Sequence, residues 1–200
     1  MVNYMKFRYL FLHYSFLTLL VLMLPGCHSK QEVMLSGVDV LPVDSSMSKG
    51  LAIYYRYAFY RHLNQMATGA VMLSEGVPGT PVLQLDHTFT DENIYDSRRP
   101  KGVGVFMTGY LKMEKSGNYR FKAMSNDGVQ VAVNGEIVVF DPAVHGDRLS
   151  DIGVVAITAA GWYPVAVKYF QRKGTARLTL YWQPPGASDF EIVPSEVYGH

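Results

Sequence analysis

Two tight turns a few residues apart restrict this chain more than any other feature. Tyr119, Phe121 and Ala123 alternate with Arg120 and Lys122, the pattern of a half-buried strand. Ser125-Asn126-Asp127-Gly128 then breaks the run. Val129, Val131 and Val133 alternate with Gln130 and Ala132 until Asn134-Gly135, after which Glu136–Phe140 returns. Asn-Gly is the strongest short hairpin signal, because both residues tolerate positive φ. A chain punctuated this closely predicts strands and leaves no room for long helices at its centre.

The same pattern extends from Gly50 onward. Leu51–Tyr55 reads as an opening strand, and a short helical turn fits Arg61–Met66. Val82–Leu85 reads as a brief strand and Gly102–Met113 as a longer one, followed by a loop over Glu114–Asn118. A polar loop spans Asp141–Asp151. Val154–Ile157, Trp162–Phe170 and Ala176–Trp182 complete the set, with turns at Ala160-Gly161 and Lys173-Gly174. Many short strands at this spacing predict an all-β fold, a β-barrel or β-sandwich of antiparallel strands. The 200 residues are 48% hydrophobic and 18% charged, a globular composition in which one domain has enough apolar material for a core. With a formal net charge of +1 and no basic stripe, nucleic acid is a poor partner.

The N-terminus carries a targeting signal. Lys6 and Arg8 precede an apolar stretch, Tyr9–Leu24, which is densest over Phe16–Leu24. That run is shorter than the roughly 20 residues of a membrane-spanning helix and fits a secretory signal. Leu24-Pro25-Gly26-Cys27 resembles a bacterial lipobox, although Pro25 departs from the usual small or β-branched residue. The resemblance implies cleavage before Cys27, lipidation of its thiol and acylation of the new amine. His28-Ser29 follow, with no Asp to favour the inner membrane, so the expected location is the bacterial cell envelope, at the outer membrane. A plain signal peptide is the alternative. Cys27 is the only cysteine, which excludes an intramolecular disulfide. The expected organisation is a signal peptide over 1–26, a tether over 27–49 and a β domain over 50–200.

Several segments, taken in order, resemble the protective-antigen (PA-fourteen) domain family. They are Gly50-Leu-Ala-Ile-Tyr-Tyr55, Phe106-Met-Thr-Gly-Tyr110, Ser116-Gly-Asn-Tyr-Arg-Phe121, Ser125-Asn-Asp-Gly128 and Val131-Ala-Val-Asn-Gly135. Ala160-Gly-Trp-Tyr-Pro-Val165, Lys168-Tyr-Phe170 and Leu178-Thr-Leu-Tyr-Trp182 close the series. The resemblance implies a β-barrel or β-sandwich found in adhesins, glycosidases, flocculins and toxins. Many members bind carbohydrate through calcium, while others serve as structural or protein-binding pieces.

In the sugar-binding members, two neighbouring acidic residues joined by a cis peptide hold the calcium. They map onto Asn126 and Asp127. Adjacent side chains on an extended strand point to opposite faces, which is why such a pair needs the cis link to reach one ion. Calcium takes six to eight oxygens, so Asn126 in place of an acid implies weaker binding. The final loop, Gln183–Phe190, is similar to the segment that completes the family's site. Gln183, Ser188 and Asp189 are its polar candidates, and Trp182 is a candidate platform for a sugar face. Both Trp162 and Trp182 also fit a core.

Other polar groups carry less. Asp141, His145, Asp147 and Asp151 crowd one loop but match no zinc spacing, and solvated loop residues are the simpler reading. Asp91-Glu92 are adjacent, a poor arrangement for flanking a substrate bond. The chain has no nucleophile elbow, phosphate loop or His-Glu-x-x-His, so an enzyme is not expected. Two function classes remain. One is a lipid-anchored, adhesin-like or lectin-like module that binds a glycan, with calcium as cofactor. The other is a structural envelope lipoprotein that docks onto another protein without an ion site.

Overall fold

A computed structural model describes residues 39–90 and 92–200. The signal segment, Cys27, most of the expected tether and Asp91 lie outside the described residues.

The described strands are β1 (Ala52–Arg56), β2 (Val77–Pro78), β3 (Asp86–Phe89), β4 (Val103–Met113), β5 (Gly117–Ser125), β6 (Val129–Val133) and β7 (Glu136–Asp141). They continue with β8 (Arg148–Leu149), β9 (Gly153–Ile157), β10 (Gly161–Gln171), β11 (Ala176–Gln183), β12 (Glu191–Ile192) and β13 (Tyr198–Gly199). Among the described residues, one helix, α1 (Gly69–Glu75), and two single 3-10 turns join these strands. One sheet runs β2-β1-β4-β10-β6-β7, with β13 also paired to β4. The second runs β12-β11-β5-β8, with β3 on β11 and β9 on β5. All pairings are antiparallel. The result is a sandwich, which decides between the two architectures the sequence allowed.

Alternation dictates which residues meet between the sheets. Tyr119, Phe121 and Ala123 of β5 point inward, as do Leu178, Leu180 and Trp182 of β11. They face Val129, Val131 and Val133 of β6 and Val165, Val167 and Tyr169 of β10. Burying each such side chain stabilises the fold by about 1.5–3 kcal/mol. Strand β10 is buried along its whole length, on both faces. Its outer face is covered by α1, where Met72 packs with Phe106, Ala132 and Ala166. The 3-10 turn Leu63–Gln65 adds Tyr60, Leu63 and Met66 over Phe170.

Three expectations need correcting. Val82–Leu85 is not a strand. Val82 makes one isolated bridge to Leu51, and the pairing strand is β3, four residues on. Helix α1 was not anticipated. Its seven residues include a glycine at the first position, and Thr68 caps it by accepting from the Val71 N–H. A helix this short leaves almost no periodic signal.

The third concerns the tether. Leu41 exchanges two backbone hydrogen bonds with Trp162, at 3.0 and 2.9 Å, and Ser48 exchanges two with His200, at 3.0 and 2.9 Å. Gly199 can pack against Met47 and Trp162 because it lacks a Cβ. Residues 41–49 therefore belong to the domain.

Candidate functional site

The turn Ser125–Gly128 leads from β5 in one sheet to β6 in the other, so it lies on the rim of the sandwich. Backbone bonds clamp it on both sides. The Asn126 N–H donates to the Arg177 carbonyl at 3.0 Å, and the Asp127 N–H to the His145 carbonyl at 3.0 Å. The Gly128 carbonyl accepts from the Phe170 N–H at 3.0 Å. Asp127 sits at φ 62°, in the left-handed region that Asp and Asn tolerate. A Cβ at Gly128 would run into the Phe170 ring and the Pro142 carbonyl, so glycine is required there.

Three segments thus converge: the turn itself, the 142–147 loop and the 172–175 loop between β10 and β11. The Asp127 carboxylate is buried and accepts from the Arg172 N–H at 2.7 Å. Burial pushes this carboxyl above its ordinary value, against the opposing pull of backbone N–H groups. Asn126 is also buried. Its side-chain nitrogen donates to Asp147 Oδ1 at 2.8 Å and lies 3.5 Å from Thr175 Oγ1. Asp147 is more open, and its second oxygen lies 3.8 Å from the Arg177 guanidinium. Deeper in the loop, Arg148 grips the buried Asp141 through both carboxylate oxygens. His145 Nε2 stands 3.1 Å from the same carboxylate without hydrogen-bond alignment. The 172–175 loop also borders a cleft of about 220 Å³ lined by Phe89, Glu92, Pro100, Lys101, Gly174 and Ala176.

The residues proposed from sequence do not all meet. Asn126 and Asp127 are together, but the peptide between them is not cis. Gln183 and Asp189 lie at the opposite end of the sandwich. Leu178 of β11 pairs with Ser125, whereas Gln183, five residues on, pairs with Arg120. The strand rise places that end about 17 Å away. There Gln183 donates to the Ala187 and Ser188 carbonyls and accepts from Arg120, which holds its own loop closed. Ser188 bonds to Asp189. Trp182 is a core residue, 6% exposed, with its ring nitrogen bonded to Glu191 at 3.0 Å. Its ring borders a surface cleft with Tyr119, Pro184 and Glu191 but is otherwise buried.

Asp147, Thr175 and Arg177 complete the rim around Asn126 instead. No local pattern in the sequence marks them, because they lie 21, 49 and 51 residues from Asn126 and meet only through strand pairing. Asp147 is exposed, as a solvated loop residue should be, whereas Asp141 of the same group is buried and paired.

The Asn126–Asp147 contact is not a pair of converging oxygen ligands. A cation needs converging oxygens, but Asn126 turns its nitrogen, not its oxygen, toward Asp147. Among the described residues, no group of three or more His, Cys, Asp or Glu side chains is placed to hold a metal.

Comparison with known proteins agrees with the fold. The family model for the PA14 domain matches residues 78–196. The chain belongs to the PA14 domain family. None of the curated proteins matches it. Among solved structures, an anti-sigma factor domain-containing protein superposes with a TM-score of 0.60 at 18% identity, covering 76% of this chain. This chain spans only 47% of that protein's length. A PA14 sugar-binding domain from an RTX adhesin matches at 20% identity and TM-score 0.58, covering 76% of this chain and 98% of that one. The Epithelial Adhesin 6 A domain from Candida glabrata, solved in complex with Galβ1-3GlcNAc, matches at 13% identity and TM-score 0.56, covering 80% and 91%. At these identities the likeness establishes the PA14 sandwich and nothing finer.

Proposed function

We propose that this PA14 protein is a carbohydrate-binding module, anchored by lipid at Cys27 in the bacterial cell envelope at the outer membrane. The observation that carries the reading is the meeting of three loops at one end of the sandwich. They set acceptor and donor groups side by side: the Asp147 carboxylate, the Thr175 hydroxyl and the Arg177 guanidinium. Such groups suit sugar hydroxyls, which both donate and accept. A cleft of about 220 Å³ borders the same loop through Gly174 and Ala176. PA14 membership, the sugar-binding RTX adhesin domain and the glycan-bound Candida glabrata adhesin domain support the same reading.

The path of the chain supports anchored display. The described chain enters at Leu41, against Trp162 at the start of β10, while the loops gather around Phe170 at its other end. By strand rise the two points are about 26 Å apart. Leu41 thus lies at the end of the domain away from the loops.

The test is a glycan array probed with the detergent-purified full chain, in calcium and in chelator. Binding to a defined glycan class is the expected result. A blank array in both conditions would overturn the carbohydrate reading and favour docking onto an envelope protein.

A further inference from the structure

We propose that in this chain the Asn126 side-chain amide satisfies Asp147 where an acid at 126 would need a bridging cation, so the loop end is assembled without calcium. The rim carries two carboxylates, Asp127 and Asp147, and the Asn126 amide contacts the second. Each already has a protein donor. Asp127 Oδ2 takes the Arg172 N–H at 2.7 Å. Asp147 Oδ1 takes the Asn126 amide at 2.8 Å, and its other oxygen faces Arg177 at 3.8 Å. An acid at position 126 would face Asp147 with like charge, which Arg177, 3.8 Å from Asp147, offsets only for one of the two, so a bound cation or a proton would be needed for the other. Asn supplies N–H donors in the same place and removes the need for either.

The exposure of each group fits this assignment. Asn126 is 8% exposed and Asp127 2%, so both side chains are held inside the turn by protein groups. Backbone bonds to Arg177 and His145 lock both residues in the turn, which fixes the direction in which the Asn126 amide points. Asp147 stays accessible, with 43% of its side chain exposed. Glycan hydroxyls would therefore be held by hydrogen bonds to Asp147, Thr175 and Arg177, with no metal intermediary. That consequence rests on the carbohydrate reading, whereas the statement about the cation does not.

The experiment measures calcium directly, apart from any glycan. Calcium titration calorimetry and thermal unfolding, in calcium and in chelator, would be run on the full chain and on Asn126→Asp. The wild-type chain should show no saturable calcium heat, and its Tm should agree within about 1 °C in the two conditions. Asn126→Asp should unfold roughly 3–8 °C lower in chelator and recover in calcium. Stoichiometric calcium binding by the wild-type chain would overturn the proposal, even if the variant failed to fold. A folded variant that ignores calcium would overturn it as well, since position 126 would then not be a bridging position. A blank glycan array with this calcium pattern would refute the carbohydrate reading alone.

Discussion

Asp127→Ala separates a structural role for this carboxylate from a ligand-binding one. The side chain is 2% exposed and accepts from the Arg172 N–H at 2.7 Å. Removing it leaves that amide without its partner, at a cost of about 1–3 kcal/mol. Alanine must also adopt φ 62°, where an L-residue pays about 1–2 kcal/mol, part of which Asp already bears. Relief of a buried charge offsets some of this loss. The net cost is about 2–4 kcal/mol, or roughly 5–15 °C in Tm for a domain of this size. Asp127→Asn keeps an acceptor oxygen and the tolerance for positive φ, and should lose less than about 1 kcal/mol. Circular dichroism melts of the full chain would measure both. If Asp127→Ala melted at the wild-type temperature but lost its glycan, the clamp argument would fail and Asp127 would be a ligand contact.

Two further predictions concern pH and anchoring. Burial raises Asp96, but hydrogen bonds from the Tyr55 hydroxyl at 2.6 Å and the Thr80 N–H at 2.7 Å outweigh it and hold the carboxyl below its ordinary value. A depressed carboxyl stabilises the fold above its unfolded pKa, and that contribution is lost as pH falls through the folded one. Tyr55→Phe should therefore make stability less sensitive to acid between about pH 5 and 2, as read from denaturant melts. Asp127 has the opposite sign. Its raised pKa means the native state holds the proton more tightly, so its contribution falls as pH rises above the ordinary carboxylate value of 3.8. An unchanged acid profile in Tyr55→Phe would refute the Asp96 assignment. Cys27→Ser should abolish acylation and move the protein from the membrane to the soluble fraction, and unchanged fractionation would refute the lipid anchor.

Much of the β framework was legible because strand signals are local. Val129–Val133 and Glu136–Phe140 alternate around Asn134-Gly135, and the structure pairs them as β6 and β7 with that turn between. Trp162–Phe170 read as one strand, and β10 spans it. Helix α1 escaped notice because seven residues barely repeat a 3.6 period, and β12 and β13 because two residues make no pattern at all. The docking of residues 41–49 escaped for a different reason. A Ser-rich segment reads as a linker, and what holds it is the backbone of Trp162 and His200, on which side-chain pattern has no bearing.

The same division runs through the candidate site. Sequence alone determined that Ser125–Gly128 is a turn and that Asn stands at 126 where the resemblance expects an acid. Both are facts of residue identity and local backbone preference. Which residues surround the turn was decided by strand register. Pairing of Leu178 with Ser125 brings Arg177 and Thr175 to Asn126, and it sends Gln183 and Asp189 to the far end of the sandwich. The direction of the Asn126 amide was likewise a tertiary outcome, since Asp147 reaches it from a loop 21 residues away. Register depends on how two sheets bury their apolar faces together, and no short stretch of sequence contains that sum.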